Sequence, residues 1–141
     1  MATFEDIALD ENGNFILAPD GDALTITDAN VVIQDVADEL MTYITMLAAL
    51  GHDKFGGRLQ EFIKSENTLM NTNALLRETM AVVKRHPNVV GESVQVALAT
   101  SRSEEFKIET KFSISINGQI ITPSGPLVII ISPEGVRVYE A

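Results

Sequence analysis

Cysteine and tryptophan are both absent from this chain of 141 residues. Without cysteine there can be no disulfide framework and no thiolate metal site. Aromatic residues are only 6% of the chain. That scarcity argues against sugar clefts and single-strand nucleic acid platforms, which depend on stacking rings. Basic residues are also few: 10 Lys and Arg stand against 20 Asp and Glu, a formal net charge of −10. Such a surface repels phosphates and anionic lipid, so neither nucleic acid nor membrane is an expected partner. The charge serves solubility, or matches a basic protein surface. Apolar runs are too short to span a bilayer, and the first residues lack the regions of a secretory signal. A cytosolic protein, or one assembled in a cytosol, is expected.

Catalytic patterns are missing as well. There is no Gly-x-Ser-x-Gly elbow, no His-Glu-x-x-His helix and no dinucleotide glycine pattern. The histidines, His52 and His86, fall at expected helix ends, where capping or surface roles outweigh catalysis. The cluster Asp10, Asn12, Asn14 resembles a calcium loop, but Phe15 stands where glycine is required and Gly21 where glutamate should close the site. It reads as a turn. Lys54-Phe55-Gly56-Gly57-Arg58-Leu59 lacks the Gly-Lys-Ser/Thr ending of a phosphate loop, so its glycines read as a tight turn before a helix. Glu39 and Glu61 adjoin apolar residues and are the carboxylates to nominate for glycoside hydrolysis, which needs a pair across a cleft. No cofactor and no metal are expected.

What is present is enough apolar material, 45% of the chain, for one globular domain with a real core. Residues 1–26 form an expected β-arm or hairpin: Ile7 to Leu9, Phe15 to Leu17 and Leu24 to Ile26 are split by turns at Asp10–Asn14 and Pro19–Asp22. Residues 27–141 form a single α+β domain. A first helix is capped by Thr27 or Asp28, carries Val32, Ile33, Val36, Leu40, Ile44 and Leu47 at helical spacing, and stops at Gly51. Its apolar last turn, Ala48 to Leu50, is expected to be buried in its own domain or against a partner helix. A short second helix holds Leu59, Phe62 and Ile63 inward. A third runs from Asn71 or Thr72 to Arg85, with Leu75, Leu76, Thr79, Val82 and Val83 inward, and Pro87 ends it. About three helices thus precede a mainly antiparallel carboxy-terminal β-sheet, whose first strand is expected over Glu92 to Thr100.

The sheet carries the clearest signal. Phe106, Ile108, Thr110, Phe112, Ile114 and Ile116 alternate with polar residues from Lys107 to Asn117, the period of a half-buried strand. Asn117-Gly118 is a hairpin turn. Leu127, Val128, Ile129, Ile130 and Ile131 form an apolar run, and Val136 to Tyr139 a last strand near the end of the chain. A terminal strand exposes unpaired backbone groups that invite another chain.

Gly21-Asp22-Ala23-Leu24, the long helix with Gln34 and Leu40, the turn Phe55-Gly56-Gly57-Arg58-Leu59 and the helix end Arg85-His86-Pro87-Asn88-Val89 follow in order before the strands. From about Leu24 to Ile131 the chain resembles the baseplate wedge family of contractile phage tails, the sheath initiators once labelled lysozyme-like. The resemblance implies a virion protein assembled in the host cytoplasm and arranged as a ring of copies. Its implied partners are other wedge proteins, the tail sheath protein, and tail tube or hub proteins. The sheet, through Leu127, Val128, Ile129, Ile130, Ile131, Val136, Val138 and Tyr139, would pair with arms of the first sheath ring. The family often carries Glu-Pro-Arg at the helix-to-strand junction, associated with packing on neighbouring wedge helices. Here His86, Pro87 and Asn88 stand there, as candidate partner contacts. A peptidoglycan hydrolase and a cytoplasmic adaptor using the same sheet edge are the alternatives.

Overall fold

A helix starts directly after Thr27 and Asp28, but the expected cap does not form: Asp28 holds the N-cap position at a φ of 55° and its side chain makes no capping bond. In the computed structural model, which describes residues 5–7, 25–51, 55–66, 68–102 and 105–140, helix α1 spans Ala29–Met41. Before it, strand β1 (Glu5–Ile7) pairs antiparallel with β2 (Thr25–Thr27). Both expected turn clusters of the arm, and Phe15 to Leu17 between them, lie outside the described residues.

Helix α1 buries Val32, Ile33, Val36 and Leu40, the expected stripe, but it ends ten residues before Gly51. Thr42 turns extended, its N–H still donating to the Glu39 carbonyl (3.2 Å) and its hydroxyl to that of Asp38 (2.7 Å). Tyr43 then forms a parallel bridge with Gly57: Gly57 N–H donates to the Thr42 carbonyl (2.8 Å) and Ile44 N–H to the Gly57 carbonyl (3.0 Å). That pairing overrides the helical spacing of Ile44 and Leu47. A 3₁₀ turn follows over Ala48–Leu50. The expected burial of this apolar end in its own domain is wrong, because Met46 is 72% and Leu50 73% exposed.

The expected second helix is a single 3₁₀ turn, Leu59–Phe62, so the described residues hold two α-helices rather than three. Helix α2 spans Leu69–Arg85 and starts on a cap the spacing did not reveal. Thr68 accepts a hydrogen bond from Asn71 N–H (3.1 Å) through its hydroxyl. Leu75, Thr79, Val82 and Val83 are buried, and Lys84 and Arg85 fill the last turn, where cations suit the helix dipole.

The carboxy-terminal sheet contains β3 (Gln95–Arg102), β4 (Glu105–Lys111), β7 (Leu127–Ser132) and β8 (Gly135–Glu140) in the order β3-β4-β7-β8, all antiparallel. The long strand expected from Phe106 to Ile116 is broken. After Lys111 the chain leaves this sheet and forms a hairpin of β5 (Ile114–Ile116) and β6 (Gln119–Ile121). Asn117 and Gly118 turn it with φ of 52° and 81°, the left-handed pair such a turn demands. Burial nevertheless alternates without interruption through Phe106, Ile108, Thr110, Phe112, Ile114 and Ile116. The expected face was right, and only the pairing partner changes. Helix α1 packs on β8 and α2 on β3, so both helices cover one face of the sheet. Phe106, Ile108, Ile129 and Ile131 lie fully buried there, each worth about 2 kcal/mol relative to exposure.

Candidate interaction site

Strand order decides which backbone groups remain open. β7 is flanked by β4 and β8, so its N–H and C=O groups are taken on both sides. Leu127, Val128, Ile129 and Ile131 are also buried, and Ile130 is half-buried. Leu127 to Ile131, expected among the partner contacts, therefore have no open backbone edge to offer. These residues are the middle of the sheet. Among the described residues the edges are β3 and β8. On β8, Val138 is buried in the core, while Val136 and Tyr139 are half-buried. On the helix-free face Tyr139 stands beside Val128, whose other neighbour is Glu109. Edge β3 carries no charge from Gln95 to Ser101 and is bent by a register shift between Leu98 and Thr100, a feature that discourages indiscriminate pairing.

The junction at the end of α2 is occupied internally. His86 Nδ1 accepts the Asn88 N–H (3.1 Å), which leaves the ring proton on Nε2, 3.3 Å from Asp35 Oδ2 on α1. Asn88 bonds Ser115 of β5, and Val90 N–H donates to the Ser113 carbonyl (2.9 Å). Of the three candidates, Pro87 is exposed and His86 and Asn88 are half-buried. His86 and Asn88 thus bond within their own domain, and Pro87 is the exposed one of the three.

The Gly56-Gly57 turn sits between the two helices, where no side chain fits. A Cβ on Gly56 would lie 2.6 Å from the Thr42 carbonyl oxygen, and one on Gly57 2.7 Å from Val82 Cγ2. Gly56 N–H donates to Glu39 Oε2 (3.2 Å), and Arg85 Nη1 donates to the Gly56 carbonyl (2.9 Å). Arg85 also lies 3.8 Å from Glu39 Oε2. The sequence implied a tight turn, and the structure adds that it seats against both helices.

The two nominated carboxylates are both engaged. Glu39 is buried and tied to Gly56 and Arg85. Glu61 Oε2 accepts the Tyr43 hydroxyl (2.7 Å) and Arg58 Nη1 (3.1 Å). The hydroxyl first, and the guanidinium second, hold the Glu61 carboxyl below its ordinary range. A general acid needs the opposite shift. Among the described residues no group of three or more His, Asp or Glu could hold a metal ion.

Sequence reasoning missed one feature. Between the start of α1, the end of the four-stranded sheet and the segment after β6 lies a cleft of about 660 Å³. Thr110 lines it, fully buried, and its hydroxyl has no hydrogen-bond partner. The signal was the lone hydroxyl on an otherwise apolar strand face. The chain matches no protein-family model, and no curated protein matches it in sequence.

Proposed function

We propose that this chain is a non-enzymatic structural subunit of a contractile phage tail baseplate, of the wedge and sheath-initiator type. It joins wedge proteins and receives extended arms of the sheath protein on its terminal sheet. The observation that carries the reading is the open edge β8, a strand with α1 behind it and no described strand beyond it. Strand addition there gives attachment through backbone bonds, and the alternating side chains fix the register. The motifs behind the resemblance also converge: Arg85 bonds the Gly56 turn, and His86 bonds α1. Copies would stand in a ring, with Pro87 facing neighbouring wedge helices.

The test is sheath polymerisation on baseplates assembled with variant chains. Removing Gly135 to Ala141 spares β7, whereas a cut at Leu127 would take core residues Ile129 and Ile131 with it. The expected result is wedge assembly without sheath growth. Val136→Pro, whose N–H points away from β7 by the alternation that starts at the Ser132–Gly135 turn pair, gives the same result if the truncation does not fold. Normal sheath growth on either folded variant would remove the assigned role of β8. Cell-wall turnover by the purified protein, lost on replacing Glu39 or Glu61, would instead favour the hydrolase. Absence from purified virions would favour an adaptor.

A further inference from the structure

The hairpin β5–β6 has one covered side and one open side. Its two-residue turn makes Ile116 and Gln119 a hydrogen-bonded pair, so Ser115 and Ile120 are a non-bonded pair with their backbone groups pointing away from each other. The contacts of Ser115 agree. Its N–H donates to the Asn88 carbonyl (2.8 Å) and its carbonyl accepts the Asn88 side-chain amide (2.9 Å). By the same alternation the N–H and C=O of Ile120 point out from β6, and no described residue pairs with them. The Ile120 side chain is 65% exposed.

The next residue turns to the other face. Ile121 is half-buried, packs on the core and lines the 660 Å³ cleft; the exposed Thr122 and half-buried Pro123 also line the cleft. A strand laid beside β6 would direct the side chain opposite Ile121 to the face that lines the cleft. The cleft has the size of a side-chain or small-ligand site. Its apolar lining includes Ile33, Phe112 and Leu127, and it holds one buried, unpartnered hydroxyl, that of Thr110.

We infer that β6 and this cleft form a second peptide-binding site, separate from the edges of the four-stranded sheet. It takes an extended segment of a partner protein, which pairs with Ile120 and seats a hydroxyl-bearing side chain toward Thr110. The formal net charge of −10 favours a basic segment by charge complementarity.

The probe is a synthetic peptide, acetyl-Lys-Val-Thr-Val-Thr-Lys-amide, titrated into the labelled full chain and followed by amide NMR. Saturable shifts centred on Ile120 and Thr122 are expected. Ile120→Pro removes the outward N–H but no bond to Ser115, and should weaken binding by roughly tenfold or more. A probe methylated on its backbone nitrogens should lose binding in the same measure, with the protein untouched. Thr110→Val should weaken the threonine probe several-fold while leaving a valine-only probe unchanged. No saturable shift, shifts confined to β3 or β8, or equal binding of the methylated probe would each overturn the site. So would self-association of the free chain through β6, since the occupant would then be a second copy.

Discussion

Asn88 is bonded to Ser115 twice, by its backbone carbonyl at 2.8 Å and its side-chain amide at 2.9 Å. This clamp fixes the end of α2 to the β5–β6 hairpin. Asn88→Ala should lower unfolding free energy by about 1 kcal/mol, the worth of one such bond. Asn88→Asp should cost more, because its carboxylate would face the Ser115 carbonyl. Urea denaturation of both variants checks the order, and equal stability of all three proteins would show that the side-chain bond contributes nothing.

Thr110 hides a hydroxyl without a partner on the core face of β4. Thr110→Val keeps the shape and removes the desolvated group, so stability should rise by about 1 kcal/mol. A fall in the thermal midpoint would contradict this reading of the site.

Gly56 and Gly51 separate two effects of adding a methyl group. Both have positive φ, 112° and 84°, but their surroundings differ. A methyl group on Gly56 would lie 2.6 Å from a backbone oxygen, whereas one on Gly51 would meet open space. Gly51→Ala should cost about 1 kcal/mol from the backbone alone. Gly56→Ala should cost about 3 kcal/mol or fail to fold, since strain and collision add. Thermal denaturation of the two variants makes the comparison, and similar losses would mean that the inter-helix seat yields easily.

Glu61 and Tyr43 titrate against one another. The Glu61 carboxyl is lowered chiefly by the Tyr43 hydroxyl and next by Arg58, while the Tyr43 hydroxyl is raised chiefly by Glu61. A lowered folded-state value means that Glu61 contributes stability above the ordinary carboxylate range. That contribution is lost as pH falls through the folded value. A raised Tyr43 value works in reverse, its contribution being lost only at alkaline pH. Carboxyl NMR of Tyr43→Phe should show the Glu61 midpoint moving up toward the ordinary range. An unmoved midpoint would assign the effect to Arg58 alone.

Much of this architecture follows from local pattern. Helix α2 and its inner face were legible because Leu75, Thr79, Val82 and Val83 repeat at helical spacing and Pro87 forbids continuation. The buried face from Phe106 to Ile116 was legible because alternation survives the strand break. The end of α1 was not, because the bridge between Tyr43 and Gly57 joins residues 14 positions apart. The Thr68 cap went unread because its signature, a hydroxyl reaching Asn71 N–H, lies before the periodic stretch.

The α+β class, the faces of the strands and the tight Asn117-Gly118 turn are written in local pattern, since each depends on neighbours a few residues apart. Long-range packing put Leu127 to Ile131 through the middle of the sheet, made β8 and β3 its edges among the described residues, and set Thr110 beside a cleft. Strand order is settled by which long-range pairings bury most apolar surface and satisfy most backbone groups. A period of two says which way a side chain points, and nothing about which strand lies alongside.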